Sequence, residues 1–487
     1  MKSPGRWLRR IGVTLLVLAV LLALPVLPPI TISSFPTPPG EDSLELVVNK
    51  GYDLNAVAEV FLGRQYRDLW AQPVTVKVLD LASVEGGLRP TRQGGGNETR
   101  SLHFETTDGR RFIFRSVDKE NIRLLNAGLW RTPVAWLVHD QTSSSFPAAA
   151  LVANPLQESV GVASGHPRLV VMADDARLGE YRAKFAGILG LLQEGPEDYV
   201  RLIPDGAAVN EVKDTEGVLP LADGSSRHRM DPHSFLTARL VDGFLNDWDR
   251  HAGQWRWAPV QERWGTRWLA IPVDRDQAFS SYDGVLMALA RLRTRKLAVF
   301  GPELPSVKGL TYNSRHLDRR FLAGLDRKTW DSTAAFVAGR LTDSVIDAAV
   351  KRLPEPWYRL EGAKLATTLK RRRGRLAAFA TTFYLYMAKH SEVFATMEAE
   401  TAHLDYQPDG GVEVRVGSMA GGREQEPWFV RRYRPAETGR IDLHLGGGKD
   451  RVIRSGTPSR TIAVHVFDEK GREVAMSQFL DTSGIRP

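Results

Sequence analysis

Cysteine is absent from the 487-residue chain, which excludes disulfide bonds, thiol nucleophiles and cysteine-ligated zinc. Repeats of solenoid length and the histidine pairs common in hydrolytic metal sites are missing as well. Charge is plentiful, because 65 lysines and arginines against 57 acids give a formal net charge of +8 and a pI near 9.6. Such a chain favours anionic neighbours such as phospholipid, nucleic acid or phosphorylated metabolites, and charge alone does not choose among them.

One long apolar run stands near the amino terminus. Residues 11–30, IGVTLLVLAVLLALPVLPPI, contain no charge and are long enough to cross a bilayer as a helix. Basic residues precede this run: Lys2, Arg6, Arg9 and Arg10. They favour a cytoplasmic amino terminus, with the rest of the chain outside. We expect a membrane anchor or a cleaved signal segment over residues 1–30, followed by a Pro- and Ser-rich linker over 31–44.

The rest of the chain divides by the period of its apolar residues. Short alternating runs between residues 45 and 140 predict strands, and TDGR at 107–110 predicts a hairpin turn. Helices are expected in these segments: 147–162, 177–194, 231–246 and much of 315–395. After residue 400 the alternation returns with Gly and Pro turns, which is typical of a small β-sandwich.

These patterns predict an α+β fold class with several units, as expected for a chain of this length. The predicted units are an antiparallel sheet with a helix at 45–175, a helical part with an acidic site at 176–398, and a β-sandwich at 399–487.

A glycine-rich loop lies between two of the predicted strands. Its sequence, EGGLRPTRQGGGNETRSL, includes Gly94, Gly95 and Gly96. Glycines between strands let the backbone approach a ligand and aim N–H groups at an anion, although a flexible turn needs glycine as well. The next hairpin strand carries Arg115, and Lys119 follows it.

Two stretches combine carboxylates with large apolar side chains. FLNDWDRHAGQWRW at 244–257 places Asp249 among aromatic residues, and IPVDRDQAF lies at 271–279. A buried carboxylate is costly unless a cation holds it, so a metal ion, an arginine, or a metal ion carrying a phosphorylated substrate is expected. Asp274 and Asp276, two positions apart on a strand, share a face and can bind one cation jointly.

Structural explanations stay open for these residues. An ion-pair network that caps a helix would also explain Asp249, Arg250 and His251. A tight turn would also explain the Asp-x-Asp pair. Asp242 and Asp247 are expected to be solvated or to cap a helix, and the nearby tryptophans are expected to belong to the core.

The order of these parts suits phosphoryl transfer. That reaction needs backbone groups and a cation to hold phosphates, an acid to orient the acceptor hydroxyl, and oxygen ligands for magnesium. The chain supplies them in sequence: the glycine loop, Arg115 with Lys119, Asp249, Gln254, and the Asp-x-Asp pair.

The same stretches resemble an atypical protein-kinase-like fold of the kind seen in spore-coat CotH kinases, HipA-type kinases and secretory-pathway casein kinases. DWDRHAGQW resembles their Asp-x-His catalytic loops, and WLAIPVDRDQAF is similar to the CotH-type pattern of an aromatic residue, Ile-Pro, Asp-x-Asp and Phe. More closely, the chain resembles bacterial envelope proteins with GGGxxT, RSVDK, DWDRHxxQW and DRDQAF segments. The likeness covers roughly residues 80–290 and implies a two-lobed kinase-like domain.

The resemblance also implies roles. Asp249 takes the place of the catalytic base, with His251 in the same loop. The implied metal ligands are Gln254, Asp274 and Asp276. The implied ATP-binding residues are Gly94, Gly95, Gly96, Arg115, Lys119 and Glu158, with Glu158 pairing with the cation. Three departures from the family stand out: Gln254 replaces the usual Asn, Arg115 replaces the usual Lys, and the glycine loop is not a G-x-G-x-x-G.

The sequence therefore predicts an anchored, extracytoplasmic transferase of the bacterial inner membrane. It would use Mg or Mn to move phosphate, or another nucleotide-derived group, from ATP or another nucleotide to a protein or envelope acceptor. No nucleic-acid partner is expected. The alternative is a catalytically inactive kinase-like module that binds or scaffolds an envelope component.

Overall fold

The computed structural model describes residues 32–38, 40–95, 98–130, 132–199, 212–458, 460–475, 478 and 480–481. The predicted span within residues 1–30 and the predicted ligand Gly96 lie outside these residues. Across the described ranges, no helix combines the length and the apolar character needed to cross a membrane.

A seven-stranded sheet forms the first part of the chain. Its strands are β1 (Ser43–Val47), β2 (Pro73–Leu79), β3 (Leu88–Gly94), β4 (Ser101–Thr106), β5 (Arg111–Ser116), β6 (Arg168–Met172) and β7 (Leu189–Glu194). Their spatial order is β1-β2-β6-β7-β5-β4-β3, and β2 with β6 is the parallel pair. Since β7 lies between β5 and β6, the sheet continues past the boundary predicted at residue 175, as far as Glu194.

The Pro- and Ser-rich segment before β1 packs on this sheet. Ile32 is buried, and Ser34 forms an antiparallel bridge with Ile188. The N–H of Phe35 donates a 2.8 Å hydrogen bond to the loop before β7. The segment predicted as a linker over 31–44 thus contacts the sheet at Ile32, Ser34 and Phe35.

Helices and a small sheet form the middle of the chain. The α-helices up to residue 310 are Ala56–Leu62, Arg67–Ala71, Pro133–Asp140, Ala150–Ser159, Arg182–Phe185, Pro196–Tyr199, Thr215–Gly224, Pro232–Leu245, Val285–Arg291 and Val307–Leu310. Those after it are Arg315–Leu322, Arg327–Arg340, Asp343–Val350, Glu355–Trp357, Ala363–Arg373 and Leu376–Ala388. The strands are β8 (Lys213–Asp214), β9 (His228–Met230), β10 (Trp255–Glu262) and β11 (Gly265–Pro272), in the spatial order β8-β10-β11-β9.

The helix Pro232–Leu245 delivers the first acid-rich stretch. Asp231 caps its start by accepting a 3.1 Å hydrogen bond from the N–H of His233, and proline occupies the first helical position. The helix ends at Asn246, whose left-handed conformation (φ +60°) terminates it. The chain then turns into the Asp249 loop and returns along β10.

One hydrophobic core joins the seven-stranded sheet to the helical part. It contains Trp70 and Val171 of the sheet unit together with Phe235, Trp255 and Trp257 of the helical part. The two tryptophans of β10 are fully buried, so their predicted place in the core is confirmed. Because apolar side chains of both parts are buried where they meet, the sheet is held against the acid-rich loops.

The C-terminal strands form two facing sheets. The strands are β12 (His390–Phe394), β13 (Glu400–Tyr406), β14 (Val412–Ala420), β15 (Arg423–Glu424), β16 (Phe429–Tyr433), β17 (Arg440–His444), β18 (Arg451–Ser455), β19 (Ala463–Phe467) and β20 (Leu480–Asp481). β12, β17 and β19 make a parallel sheet and the others make the second sheet. Val393, Leu404 and Ile441 belong to one shared core. The first strand of this two-layer unit begins at His390, nine residues before the boundary predicted at residue 399.

Candidate active site

A fully buried ion network lies beneath the Asp249 loop. Its members are Arg239, Arg250, Arg275, Asp242, Asp247 and Asp318. Arg275 contacts Asp242 and lies 2.7 Å from Asp247, while Arg250 lies 3.6 Å and 3.7 Å from the same two carboxylates. The prediction that Asp242 and Asp247 are solvated or capping is therefore wrong.

The arginines decide the protonation of these buried acids. Burial alone would raise the pKa of Asp242, but Arg275, Arg250 and Arg239 outweigh the burial and lower it. For Asp247 burial prevails, and its pKa is raised. The partner that the acid-rich stretch requires is thus, for these two residues, arginine.

Arg250 ties the two acid-rich stretches together. Its Nη1 atom donates hydrogen bonds to the carbonyl oxygens of Val273 (2.8 Å) and Asp274 (3.1 Å). Its Nη2 atom donates a 2.7 Å hydrogen bond to the carbonyl oxygen of Gln254. The structural explanation is therefore correct for Arg250, and that structural role places the predicted metal ligands side by side.

Asp274 lies where the seven-stranded sheet meets the helical part. Its Oδ2 atom accepts a hydrogen bond from Arg115 on β5 and lies 3.5 Å from Nε2 of Gln254. Its φ of +62° is rare for a residue other than glycine, and such conformations recur at functional sites. Burial alone would raise its pKa, but Arg115, Lys119 and Arg250 outweigh it and lower the pKa, so this carboxylate is ionised at neutral pH.

Lys119 makes the second contact across this junction. Its buried Nζ atom lies 2.6 Å from Oδ2 of Asp276 and 3.8 Å from Oε2 of Glu98. Burial would lower the pKa of Lys119, but the two acids outweigh burial and raise it. Burial and repulsion from Asp274 raise the pKa of Asp276 to about 7. The structure therefore brings both predicted cations to the Asp-x-Asp pair.

Asp249 is half-buried and has a partner that the sequence does not suggest. Nδ2 of Asn313 donates a hydrogen bond to its Oδ1 atom. His251 is exposed, and its Nδ1 atom accepts a 3.1 Å hydrogen bond from the N–H of Gly253. His251 therefore caps its own turn, and its predicted catalytic role stays a prediction.

The described glycines of the loop are explained by the hairpin itself. A Cβ atom on Gly94 would lie 2.7 Å from Nε2 of His103, and one on Gly95 would lie 2.5 Å from the carbonyl oxygen of Thr99. Gly95 also has a φ of +103°, which side chains disfavour. Close packing within the hairpin thus explains why glycine stands at these two positions, and their predicted role in nucleotide binding stays a prediction.

The helix Ala150–Ser159 presents a different residue to the site than expected. Glu158 is half-exposed, with Oε1 3.4 Å from Nε2 of His166. The buried Gln157 accepts a 2.7 Å hydrogen bond from Nε of Arg275. The structure therefore places Glu158 against His166 and not against Lys119, because Gln157 occupies the inward face of the helix.

Only part of the predicted ligand set suits a metal ion. Among the described residues, no group of three or more His, Asp or Glu side chains could hold a metal. The carboxylate of Asp274 offers oxygen donors, whereas Gln254 turns its amide nitrogen toward that carboxylate, so its amide oxygen would reach a shared metal only after the amide group turns over. Asp276 is taken by Lys119. Mg²⁺ is commonly held by one or two carboxylates together with phosphates and water. The residues thus fit a metal that arrives with a nucleotide.

The space between these groups is small. A cavity of about 50 Å³ is lined by Arg115, Lys119, Asp274 and Asp276, with Phe146 among its apolar walls. Ligand pockets usually measure roughly 300–1,000 Å³, so this cavity is too small for a nucleotide while the two ion pairs across it are closed. A larger cavity of about 780 Å³ is lined by none of these residues.

Sequence reasoning missed the residues that hold the site in place. Gln157 and Asn313 contact it from segments far along the chain, and neither lies in a pattern that marks it. Arg275 stands between the two predicted metal ligands and points to the ion network instead. Asp274 and Asp276 were expected on a strand, but β11 ends at Pro272 and Asp274 has a left-handed φ of +62°, so strand alternation does not explain which way these side chains point.

No protein-family model and no curated protein matches the chain. Among solved structures, the proinflammatory kinase CtkA of Helicobacter pylori is 12% identical, with a TM-score of 0.36 over 62% of this chain and 98% of that chain. Shewanella oneidensis MR-1 HipA, in a complex with HipB and operator DNA, is 11% identical, with a TM-score of 0.30 over 63% and 76%. The amicoumacin kinase hAmiN, with AMP-PNP, Ca2+ and Ami, is 10% identical, with a TM-score of 0.17 over 60% and 88%. TM-scores this low do not establish a shared fold.

Proposed function

We propose that the chain is a phosphotransferase with a protein-kinase-like site, which moves a phosphoryl group from ATP or another nucleotide to a hydroxyl of a protein or envelope acceptor. The observation that carries the proposal is the contact of Arg115 with Asp274, which lies 3.5 Å from Gln254. A phosphate-binding cation, an acid and an amide thus converge from three separate segments. Phosphoryl transfer depends almost entirely on such positioning.

The chain order around this contact supports the proposal. β3 and β4 flank the glycine loop, β5 carries Arg115, and the helix Ala150–Ser159 follows before β6 and β7. In protein kinases a glycine-rich loop covers the phosphates and the next strand carries the phosphate-pairing lysine. Asp249 and Gln254 have the spacing of the Asp and Asn in H-R-D-x-x-x-x-N.

Each residue has a task in the transfer. Asp249 would orient the acceptor hydroxyl and accept its proton as the hydroxyl oxygen bonds to the γ-phosphorus. The bond from that phosphorus to the oxygen bridging the β-phosphate breaks, and its electron pair leaves with the nucleoside diphosphate. Arg115 and Lys119 would hold the phosphates. A bound Mg²⁺ or Mn²⁺, held by Asp274 and Gln254, would neutralise charge on the phosphate oxygens.

The location belongs to the same proposal. We propose that residues 1–30 anchor the chain in a bacterial inner membrane and that the remainder lies outside the cytoplasm. The uncharged run at 11–30 and its basic flank support this orientation. The acceptor would then be a protein or another envelope component.

A catalytically inactive binding module is the second candidate. It is favoured by the pairing of Asp274 with Arg115 and of Asp276 with Lys119, since both acids already contact a cation. In this function the cleft would bind an anionic envelope component without turnover.

Labelled ATP separates the two functions. The full chain in detergent is incubated with γ-labelled ATP and Mn²⁺, and label in protein is counted for the parent and for Asp249→Asn. Loss of a positioned general base costs about 10²- to 10⁴-fold, whereas the exposed Asp68→Asn should leave transfer unchanged. Transfer that survives Asp249→Asn contradicts the proposed enzyme. Thermal stabilisation by lipid or polysaccharide alone, without transfer, supports the module.

A further inference from the structure

Lys296 is held between two aromatic rings beside Asp249. Its Nζ atom lies 4.2 Å from the centroid of the Trp248 ring and 5.0 Å from that of Tyr312. Both distances are within the range of cation–π attraction. Trp248 precedes Asp249 and Tyr312 precedes Asn313, and these two following residues are hydrogen-bonded to each other. The rings therefore fix the ammonium group next to the acid that would orient the acceptor.

Two acids act on the charge of Lys296. The charges of Asp249 and Glu98 both act on its ammonium group. Glu98 follows the glycine loop and lies 3.8 Å from Nζ of Lys119. Partial burial lowers the pKa of Lys296, and the two acids oppose that effect. Glu98 thus acts on both Lys296 and Lys119, and Asp249 acts on Lys296 as well.

The rings leave the ammonium group able to donate hydrogen bonds. Aromatic faces attract a cation but do not take up its three N–H donors as carboxylates do. By contrast, Arg115 contacts Asp274 and Lys119 contacts Asp276. A phosphoryl group in transit spreads negative charge over three oxygens. Positive charge on the acceptor side would stabilise that charge where the cations of the sheet do not reach.

We propose that Lys296 binds the phosphoryl group during its transfer, from the acceptor side, while Trp248 and Tyr312 position it. The inference rests on the proposed phosphotransferase function and adds a catalytic residue to it. Lys296 stays protonated and donates only hydrogen bonds. The bonds made and broken remain those at the γ-phosphorus, and the acceptor proton still goes to Asp249.

A transition-state mimic tests this role without a known acceptor. Titration calorimetry on the full chain gives the affinity for MgADP alone and for MgADP with fluoroaluminate, an anion that takes the place of the transferring group. In Lys296→Met the MgADP affinity should be unchanged, and the affinity gained from fluoroaluminate should fall about ten- to a hundredfold, as expected for a lost charge-assisted hydrogen bond. Lys296→Arg should keep most of the gain. Arg293→Met, an exposed cation of the same segment, is the matched control and should change nothing.

The outcomes separate the two proposals. A parent chain that binds no MgADP contradicts the proposed phosphotransferase itself. A parent that binds MgADP but gains nothing from fluoroaluminate overturns the role of Lys296 alone, as does an undiminished gain in Lys296→Met. Parallel loss of MgADP affinity and melting temperature in Lys296→Met would assign the residue a structural role and also overturn the inference.

Discussion

Arg250 and Gln254 are joined by a 2.7 Å hydrogen bond from Nη2 of the arginine to the backbone carbonyl oxygen of the glutamine. The same guanidinium group donates to the carbonyl oxygens of Val273 and Asp274. One fully buried side chain therefore sets the spacing between the Asp249 loop and the Asp-x-Asp loop. The geometry of the proposed site depends on a network that would not touch substrate.

Removing this guanidinium group should destabilise the fold strongly. In Arg250→Met, Asp242 and Asp247 lose a cation at 3.6 Å and 3.7 Å, and three carbonyl oxygens lose their donor. Breaking a buried ion network in this way costs about 3–5 kcal/mol. Urea unfolding measures the loss, and the exposed Arg293→Met should stay within about 0.5 kcal/mol of the parent. If Arg250→Met lowered the free energy of unfolding by less than about 1 kcal/mol, the proposed structural role of Arg250 would be contradicted.

Asp274→Asn should separate metal binding from folding. Asparagine tolerates the left-handed conformation that φ +62° requires, so the variant should fold, while the oxygen donor set for a divalent ion loses its charge. We expect Mn²⁺ to improve ATP affinity in the parent at least about tenfold more than in Asp274→Asn. Calorimetry with and without Mn²⁺ measures this. Equal metal dependence in the two proteins would exclude Asp274 as a ligand.

The glycine loop offers a matched pair of variants. Gly95→Ala places a side chain at φ +103° and 2.5 Å from the carbonyl oxygen of Thr99, whereas Gly109→Ala at φ +82° meets nothing within 4 Å. The strained conformation alone costs about 1–2 kcal/mol, and the clash adds about 1–3 kcal/mol. Unfolding free energies should therefore fall further for Gly95→Ala. Equal losses would show that the hairpin shifts to accept the methyl group.

Stability should fall with rising pH because of Glu400. Burial, with the nearby charge of Asp450, raises its pKa to about 7 from an ordinary value of 4.5. The folded chain therefore holds a proton that the unfolded chain releases, so the stabilisation is complete below about pH 4.5 and is lost as pH approaches 7. Each pKa unit corresponds to about 1.4 kcal/mol, which gives about 3 kcal/mol for the whole interval.

Trp428 reports directly on this proton. Its Nε1 atom donates a 2.8 Å hydrogen bond to Oε1 of Glu400, so its indole N–H resonance should titrate near pH 7. Glu400→Gln should abolish that titration and remove the part of the pH dependence of unfolding that Glu400 contributes. Asp450, whose pKa is raised by burial to about 6, and Asp276, whose pKa is raised to about 7, contribute further parts. A pH-independent Trp428 resonance in the parent would disprove the assignment.

Local patterns predicted the elements that depend on neighbouring residues. TDGR forms the turn between β4 and β5, and the Asp-Pro start begins the helix at Pro232. The glycine loop, Arg115, Asp249 and the Asp-x-Asp pair follow one another in the sequence. Spacing cannot show that these segments meet, so their meeting was expected from family resemblance and is observed in the contact of Arg115 with Asp274.

Long-range burial explains what the patterns missed. The segment 177–194 was expected to be helical but ends in β7, where Leu189 and Leu192 face opposite cores, so the strand reads as one apolar run. Asp242 and Asp247 looked solvated because Arg275 lies far along the chain. Partners brought together only by folding leave no local period in the sequence.

The hydrogen bonds of Arg250 to both acid-bearing loops also limit how the cleft between the sheet and these loops can open. One guanidinium group is hydrogen-bonded to both acid-bearing loops, so we expect the two loops to move together as one unit. Entry of a nucleotide would then require the seven-stranded sheet to move away from these loops. That movement would separate Arg115 from Asp274 and Lys119 from Asp276. The mobile wall of the cleft would be the one that carries the cations.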